Sequence, residues 1–235
     1  MRFPRPLIEG RLLRRYKRFL ADVRLPGGEE VTAHCANPGA MLGLLSPEAR
    51  VFLSESDNPA RKLRYSWEVV EADFGRGPEL VGVSTALPNP LVGAALREGF
   101  FHEFDGWPLV RREVKYGAAS RVDFLLEGDG RPPLFVEVKN VHLMRVPGLA
   151  EFPDCATARG AKHMRELAGM VRSGARACVV FVIQMSADRF KLAHDLDPAY
   201  ATAFEEARAA GVEAIAVICD VSPQGIEIVR RVPIL

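Results

Sequence analysis

The sequence is poor in cysteine: four residues, at positions 35, 155, 178 and 219, with no two close together. Neither a disulfide framework nor a structural zinc site fits such spacing, because both draw on clustered ligands. Cys178 and Cys219 each stand in a strongly apolar run, which marks them as buried free thiols. Long apolar runs are missing as well. The longest are strand-sized, well short of the ~20 residues that span a bilayer. The opening MRFPRPLIEGRLLRR has no apolar stretch of signal-peptide length. These absences predict a soluble, reduced, cytoplasmic protein with no membrane partner. An excess of one charge is also lacking: 31 basic residues against 30 acidic ones leave a net charge of +1. A polyanionic partner is therefore neither required nor excluded by charge alone. No internal repeat or low-complexity tract is present. With 235 residues, 48% of them hydrophobic, the chain can build one large domain or two small ones with cores of their own.

Residues 1–85 read as short strands separated by turn residues, with no long helix. The strand candidates are Leu12–Val23 as one long strand, then Val31–Cys35, Val51–Ser54, Tyr65–Glu71 and Leu80–Ser84. Five or six such strands suit a small β-barrel or a sandwich. Near Pro88 the character changes. Asn89 as cap, Pro90 at the first helical position and Gly99 as stop bracket a helix. Strands are expected at Leu109–Tyr116, Arg121–Glu127 and Leu134–Val138. A helix follows from about Thr157 to Arg172, with Met164, Leu167, Ala168 and Val171 forming its apolar stripe. The strand Ala177–Ile183, a helix from Asp197 to Gly211, the strand Glu213–Cys219 and an edge strand Ile226–Val229 complete the chain. The order αβββαβαβ predicts that residues 86–235 form a second domain, a mixed sheet with helices on its faces.

Two strand segments carry candidate chemistry: Arg121-Val122-Asp123-Phe124 and Val136-Glu137-Val138-Lys139. A Gly-containing turn separates them, so they are natural hairpin partners. Alternation places Glu137 and Lys139 on one face, about 6.6 Å apart at ~3.3 Å rise per residue. On the partner strand Val122, Phe124 and Leu126 form the apolar face, leaving Asp123 opposite it. Two acids and one ammonium can thus converge. Paired carboxylates repel, and a hard divalent cation, Mg²⁺ or Mn²⁺, removes the conflict while also binding phosphate oxygens. The reading is a phosphodiester-cleaving site in which Asp123 and Glu137 hold the metal and Lys139 steadies developing charge.

Cations recur where a helix should repel them. Arg159, Lys162 and His163 lie near the start of the Thr157–Arg172 helix, the positive end of its dipole. A bound phosphate would account for them; so would local pairing with Asp154 or Glu151. In the first domain Arg14, Arg15, Lys17 and Arg18 interleave with Tyr16 and Phe19, and Arg61 and Lys62 add a basic loop. Such alternation suits backbone tracking with base stacking. DNA is the expected partner.

Several ordered motifs resemble the sugar fermentation stimulation protein A (SfsA) family. They include Tyr16–Val23, Cys35-Ala36-Asn37-Pro38-Gly39-Ala40-Met41, Ser56-Asp57-Asn58 and Glu113–Gly117. Arg121–Phe124, Val136–Lys139 and Phe152-Pro153-Asp154-Cys155 leading into Arg159–His163 extend the likeness nearly end to end. The resemblance implies a two-domain α+β protein: an N-terminal OB-fold β-barrel and a C-terminal α/β domain of the PD-(D/E)xK nuclease type. It also implies DNA binding and a role in regulating sugar (maltose) metabolism. By position Asp123, Glu137 and Lys139 match that nuclease motif, with Val122 where a proline is usual. The resemblance further implies a first-helix acid on the metal, Glu98, with Glu113 as its competitor. A non-catalytic DNA-binding regulator that keeps the fold is the alternative, an interaction scaffold a third, and a homodimer is left open.

Overall fold

The computed structural model describes residues 1–117 and 120–235. Six strands build the first domain: β1 (Ile8–Tyr16), β2 (Leu20–Arg24), β3 (Glu30–Cys35), β4 (Arg50–Glu55), β5 (Tyr65–Asp73) and β6 (Pro78–Gly82). They run in the order β3-β2-β1-β4-β5-β6, and an extra parallel pairing of β3 with β5 closes the sheet into a barrel. The expected OB-fold is therefore present. Its interior is filled by inward residues such as Leu12, Val23, Leu53 and Trp67, all buried. Closure removes two sheet edges that would otherwise expose unpaired backbone groups.

The long strand expected over Leu12–Val23 is instead the β1–β2 hairpin, which turns at Lys17 and Arg18. Both adopt left-handed backbone, at φ 48° and 63°, a conformation that costs about 1–2 kcal/mol per non-glycine residue. No Gly or Asn announces that turn, so the sequence reads straight through it. Tertiary contacts hold it: Arg15 Nη2 donates to the carbonyls of Asn37 and Gly39, and Arg18 Nη2 to that of Pro38.

The second domain begins with α1 (Pro88–Arg97) and a short 3₁₀ turn, His102–Phe104. Next come β7 (Leu109–Tyr116), β8 (Ser120–Glu127), β9 (Leu134–Val141), β10 (Leu143–Val146) and β11 (Leu149–Phe152). The chain ends with α2 (Ala158–Arg172), β12 (Arg176–Ile183), β13 (Arg189–Leu192), α3 (Pro198–Ala209), β14 (Glu213–Ser222) and β15 (Gly225–Val232). The main sheet has the order β15-β14-β12-β9-β8-β7, with β9, β12 and β14 parallel and the rest antiparallel. This is the expected mixed sheet. The second, three-stranded sheet β10-β11-β13 was not legible, because each of its strands is only four residues long.

Helix positions follow their sequence signals with one exception. Thr157 caps α2 by accepting from Gly160 N, and Asp197 caps α3 by accepting from Tyr200 N. Asn89, expected to cap α1, is instead a residue of the helix itself; Leu87 occupies the cap position and makes no side-chain cap. The Asn89 amide is used elsewhere. One face of the sheet, with Phe124, Val136 and Val138, packs against Leu91 and Val92 of α1. The core on the α2–α3 side, which includes Met164, Leu167, Phe181 and Phe204, is continuous with that of the barrel. The barrel is tied down by Gly82 N donating to the Gln184 carbonyl and by an Arg76–Asp188 ion pair of 2.6 Å.

Candidate functional site

The site forms where the sheet opens. The ladder between β8 and β9 pairs Leu126 with Leu134, Leu125 with Phe135 and Phe124 with Val136, and then stops. Asp123, the next residue, comes level with Glu137, and its carboxylate takes over from the backbone: Oδ2 accepts from Val138 N at 2.7 Å. Oδ1 accepts from the Asn89 side chain at 2.6 Å. On the outer strand β7, Arg112 faces Phe124 and Val114 faces Val122, which puts Glu113 level with Asp123. Three acids, Glu113, Asp123 and Glu137, thus lie in a row across three neighbouring strands. All three line one cavity of about 240 Å³ with Arg121, Lys139, Arg159 and His163. Glu113 holds a left-handed φ of 53°, a local strain inside an otherwise regular strand.

Glu137 is only 3% exposed. Its Oε1 receives Lys139 Nζ at 2.7 Å and faces His163 Nδ1 at 2.5 Å. Burial pushes the Glu137 carboxyl up, but the Lys139 charge and the His163 hydrogen bond outweigh it and hold it below its ordinary value. Asp123 behaves oppositely. Burial first, and then the negative charge of Glu137, push it up to about 6, against the hydrogen bonds from Val138 N and Asn89. One acid of the pair keeps its charge at the expense of the other, as closely spaced carboxylates do. Two tyrosines, Tyr116 and Tyr200, are buried, and their hydroxyls lack hydrogen-bond partners. Burial, with Glu137 next, raises both.

A divalent metal fits these residues on one observation in particular. Glu137 Oε2 is buried and has no hydrogen-bond partner, which is costly for a carboxylate oxygen unless a cation meets it. The donors are hard oxygens, suited to Mg²⁺ or Mn²⁺. Among the described residues no three His, Cys, Asp or Glu side chains converge on one point. Asp123 and Glu137 supply two carboxylates, the number Mg²⁺ commonly takes while keeping several waters.

Other sequence-predicted residues are not brought here. Glu98 sits exposed at the C-terminal end of α1 and lines a separate small pocket with Met1, Phe100 and Glu227. Asn89 near the start of α1 is the residue that meets Asp123, and Glu98 at the other end lies about 13 Å further along the axis at ~1.5 Å per residue; the acid in line with the pair is Glu113. His163, grouped with the basic residues, is buried and bonded to Glu137. Arg159 Nε lies 3.4 Å from His163 Nε2, and Lys162 pairs loosely with Glu166 at 3.7 Å. Neither Asp154 nor Glu151 pairs with this cluster: Glu151 binds Arg145 and Lys191, and Asp154 faces His142.

The barrel's basic residues divide into two groups. Arg15 and Arg18 brace the loop at 37–39, Arg14 binds Asp22 at 2.8 Å, and Arg61 binds Ser66 Oγ. Lys17 and Lys62 are exposed. Tyr16 is half-buried, under the Arg14 guanidinium and bonded to Asp22. Phe19, at the same hairpin tip, is 45% exposed and stacks on His34, which leaves an aromatic face outward. Sequence reasoning missed the roles of Asn89 and Arg121; only Asn89 carries a local signal, that of a helix cap.

Known proteins match this chain along its length. Residues 86–225 match the model of the sugar fermentation stimulation protein RE domain, and residues 13–83 that of the SfsA N-terminal OB domain. A sugar fermentation stimulation protein homolog of Azorhizobium caulinodans is 60% identical, with both chains covered in full. Another, of Methylorubrum populi, is 61% identical over all of this chain and 95% of its own. The solved structure of Pyrococcus furiosus SfsA in complex with Ca²⁺ superposes with a TM-score of 0.88 at 28% identity, covering all of this chain and 98% of that one. No helix among the described residues is long and apolar enough to cross a membrane.

Proposed function

The chain belongs to the sugar fermentation stimulation protein family, and from that premise we propose that it is a DNA-binding, Mg²⁺- or Mn²⁺-dependent phosphodiesterase. The observation that carries this reading is Glu137 Oε2, buried without a partner beside a second carboxylate that its neighbours make hard to ionise. Asp123 and Glu137 would hold the metal. A relative of the same fold was solved with Ca²⁺, another hard cation with a preference for oxygen ligands.

When bound, such an ion supplies Lewis-acid polarisation of a phosphate oxygen and a more acidic water. The protein's own groups supply the rest. Asn89 and Val138 N fix the Asp123 carboxylate in place, so that no reorganisation is needed on binding. Lys139, whose ammonium is bonded to Glu137 Oε1 at 2.7 Å and lines the cavity, would place its positive charge beside a phosphate oxygen or an attacking water. Arg121 and Arg159 at the rim of the cavity attract the phosphodiester backbone. The exposed Lys17, Lys62 and Phe19 of the barrel extend that surface. A link to sugar (maltose) metabolism would then run through DNA and its regulation rather than through a sugar bound at this site.

Incubation with plasmid, linear, single-stranded and branched DNA, with and without Mg²⁺ or Mn²⁺, tests the reading. It expects metal-dependent cleavage of at least one form by the natural protein and none by Lys139→Ala. Metal uptake and DNA binding without cleavage of any form would instead identify a non-catalytic DNA-binding protein.

A further inference from the structure

Two motifs that carry the family likeness, Ala36-Asn37-Pro38-Gly39 and Phe152-Pro153-Asp154-Cys155, play no part in the metal site. They meet across the domain junction and line a second cavity, of about 270 Å³. Asp154 organises it. Its Oδ2 accepts from Met41 N at 2.9 Å, a contact from barrel to sheet domain, and lies 3.2 Å from His142 Nε2. Gly39 permits the approach, because a Cβ there would collide with the Asp154 carboxylate.

The hydrogen bonds run in one direction. Gln184 Nε2 donates to Asn140 Oδ1, which leaves Asn140 Nδ2 to face His142 Nδ1 at 3.0 Å. An amide nitrogen only donates, so the imidazole proton sits on Nε2 and points at Asp154. Asp154 is thereby kept as an oriented carboxylate, with Oδ1 outside this chain of bonds and the Cys155 thiol beside the carboxylate as a weak, displaceable donor. The wall beside it is Phe152 and Pro153, and Arg18 stands at the barrel side of the cavity. Thr157 lines both this cavity and the metal cavity, so the two are contiguous.

We propose that the junction cavity takes one unstacked nucleotide next to the scissile phosphate, so that the substrate is a DNA strand with an unpaired or extruded base rather than an intact duplex. This deepens the metal-site reading and rests on it. The volume suits a single nucleotide and cannot admit a base pair within a duplex. A base laid against Phe152 and Pro153 would present its ring or exocyclic N–H groups to Asp154 Oδ1, the way sites for extruded bases read a hydrogen-bonding edge. Arg18 Nη1, the guanidinium nitrogen not bonded to Pro38, would meet the adjoining phosphate.

The test uses the full-length protein with Ca²⁺ and fluorescent DNA in three forms: single-stranded, duplex with one unpaired base, and fully paired. The natural protein is expected to bind the first two at least about tenfold more tightly than the third, since an unpaired base avoids the unstacking cost. Ala156→Trp, an exposed lining position, fills the cavity and should bring that ratio close to one. Asp154→Asn, nearly equal in shape, should change the ranking of the four bases at the unpaired position. Thermal unfolding and calorimetric Ca²⁺ uptake of each variant report separately on the fold and the metal site. No preference in the natural protein, or a preference and base ranking kept by both variants, would overturn the nucleotide pocket while metal-dependent cleavage still stood. If no DNA form is bound or cut, the pocket and the phosphodiesterase reading fall together, whether or not Ca²⁺ is taken up.

Discussion

The side-chain amide of Asn89 lies 2.6 Å from Oδ1 of Asp123, so a residue of α1 holds the carboxylate of β8 at the point where the sheet opens. Groups that orient a metal ligand typically contribute 10–100-fold to affinity. Asn89→Ala should therefore weaken Mn²⁺ uptake by about tenfold while leaving the fold intact, as measured by calorimetry and circular dichroism. Unchanged uptake would show that Val138 N alone suffices to place Asp123.

Proton and metal compete for the same carboxylate. Asp123 is pushed up to about 6 from an ordinary 3.8, by burial and by Glu137. Between those values the folded, metal-free protein binds a proton that the unfolded chain lacks. Its stability therefore falls as pH rises through this window. Metal uptake has the opposite sign and should climb as pH passes about 6. Melting curves with and without Mn²⁺ at pH 5 and pH 7 check both trends, the metal-induced gain being larger at pH 7.

Much of this was legible in the sequence, for identifiable reasons. Asp123 and Glu137 could be paired because apolar alternation fixes strand faces and a short Gly-containing turn fixes neighbours. The start of α2 near Thr157 could be placed because a periodic apolar stripe follows it, and the start of α3 at Asp197 because Pro198 follows it as a first helical residue. The β1–β2 turn was hidden because Lys17 and Arg18 hold left-handed backbone through contacts with a loop about twenty residues away. Asn89 was misread because a cap and a long-range hydrogen bond use the same side chain. The partnership of His163 with Glu137 spans 26 residues and leaves no local pattern. Glu98 was carried over from the family pattern; only the register of β7 against β8 reveals Glu113 as the acid in line.

The domain junction yields a prediction of its own. Burial alone would raise Asp154, but His142 and Met41 N hold it at about 2, below its ordinary 3.8. A lowered folded value means stability that is complete above pH 3.8 and is lost as pH falls through about 2. Asp154→Asn should cost about 1–2 kcal/mol at pH 7, shrinking towards zero at pH 2. Gly39→Ala should cost about 1–3 kcal/mol at both pH values, because its Cβ overpacks against that carboxylate. Urea denaturation at the two pH values separates the charge effect from the steric one.

Salt dependence distinguishes the cations that meet DNA from those that brace the barrel. Lys17→Ala with Lys62→Ala should weaken DNA binding and flatten the slope of log K against log salt by about 2, since each phosphate left without its lysine on duplex DNA removes roughly 0.9. Arg15→Ala should instead lower the unfolding midpoint, since its guanidinium bonds the carbonyls of Asn37 and Gly39. An unchanged slope in the double lysine variant would move the DNA surface away from the barrel hairpin.

The central claim, a divalent metal held between Asp123 and Glu137, is most directly tested by titrating Mn²⁺ into the natural protein and into Asp123→Asn in a calorimeter at pH 7. The account predicts one saturable site in the natural protein, with protons released on binding, and no uptake at that site in the variant. Absence of Mn²⁺ binding by the natural protein, or equal binding by Asp123→Asn, would contradict it.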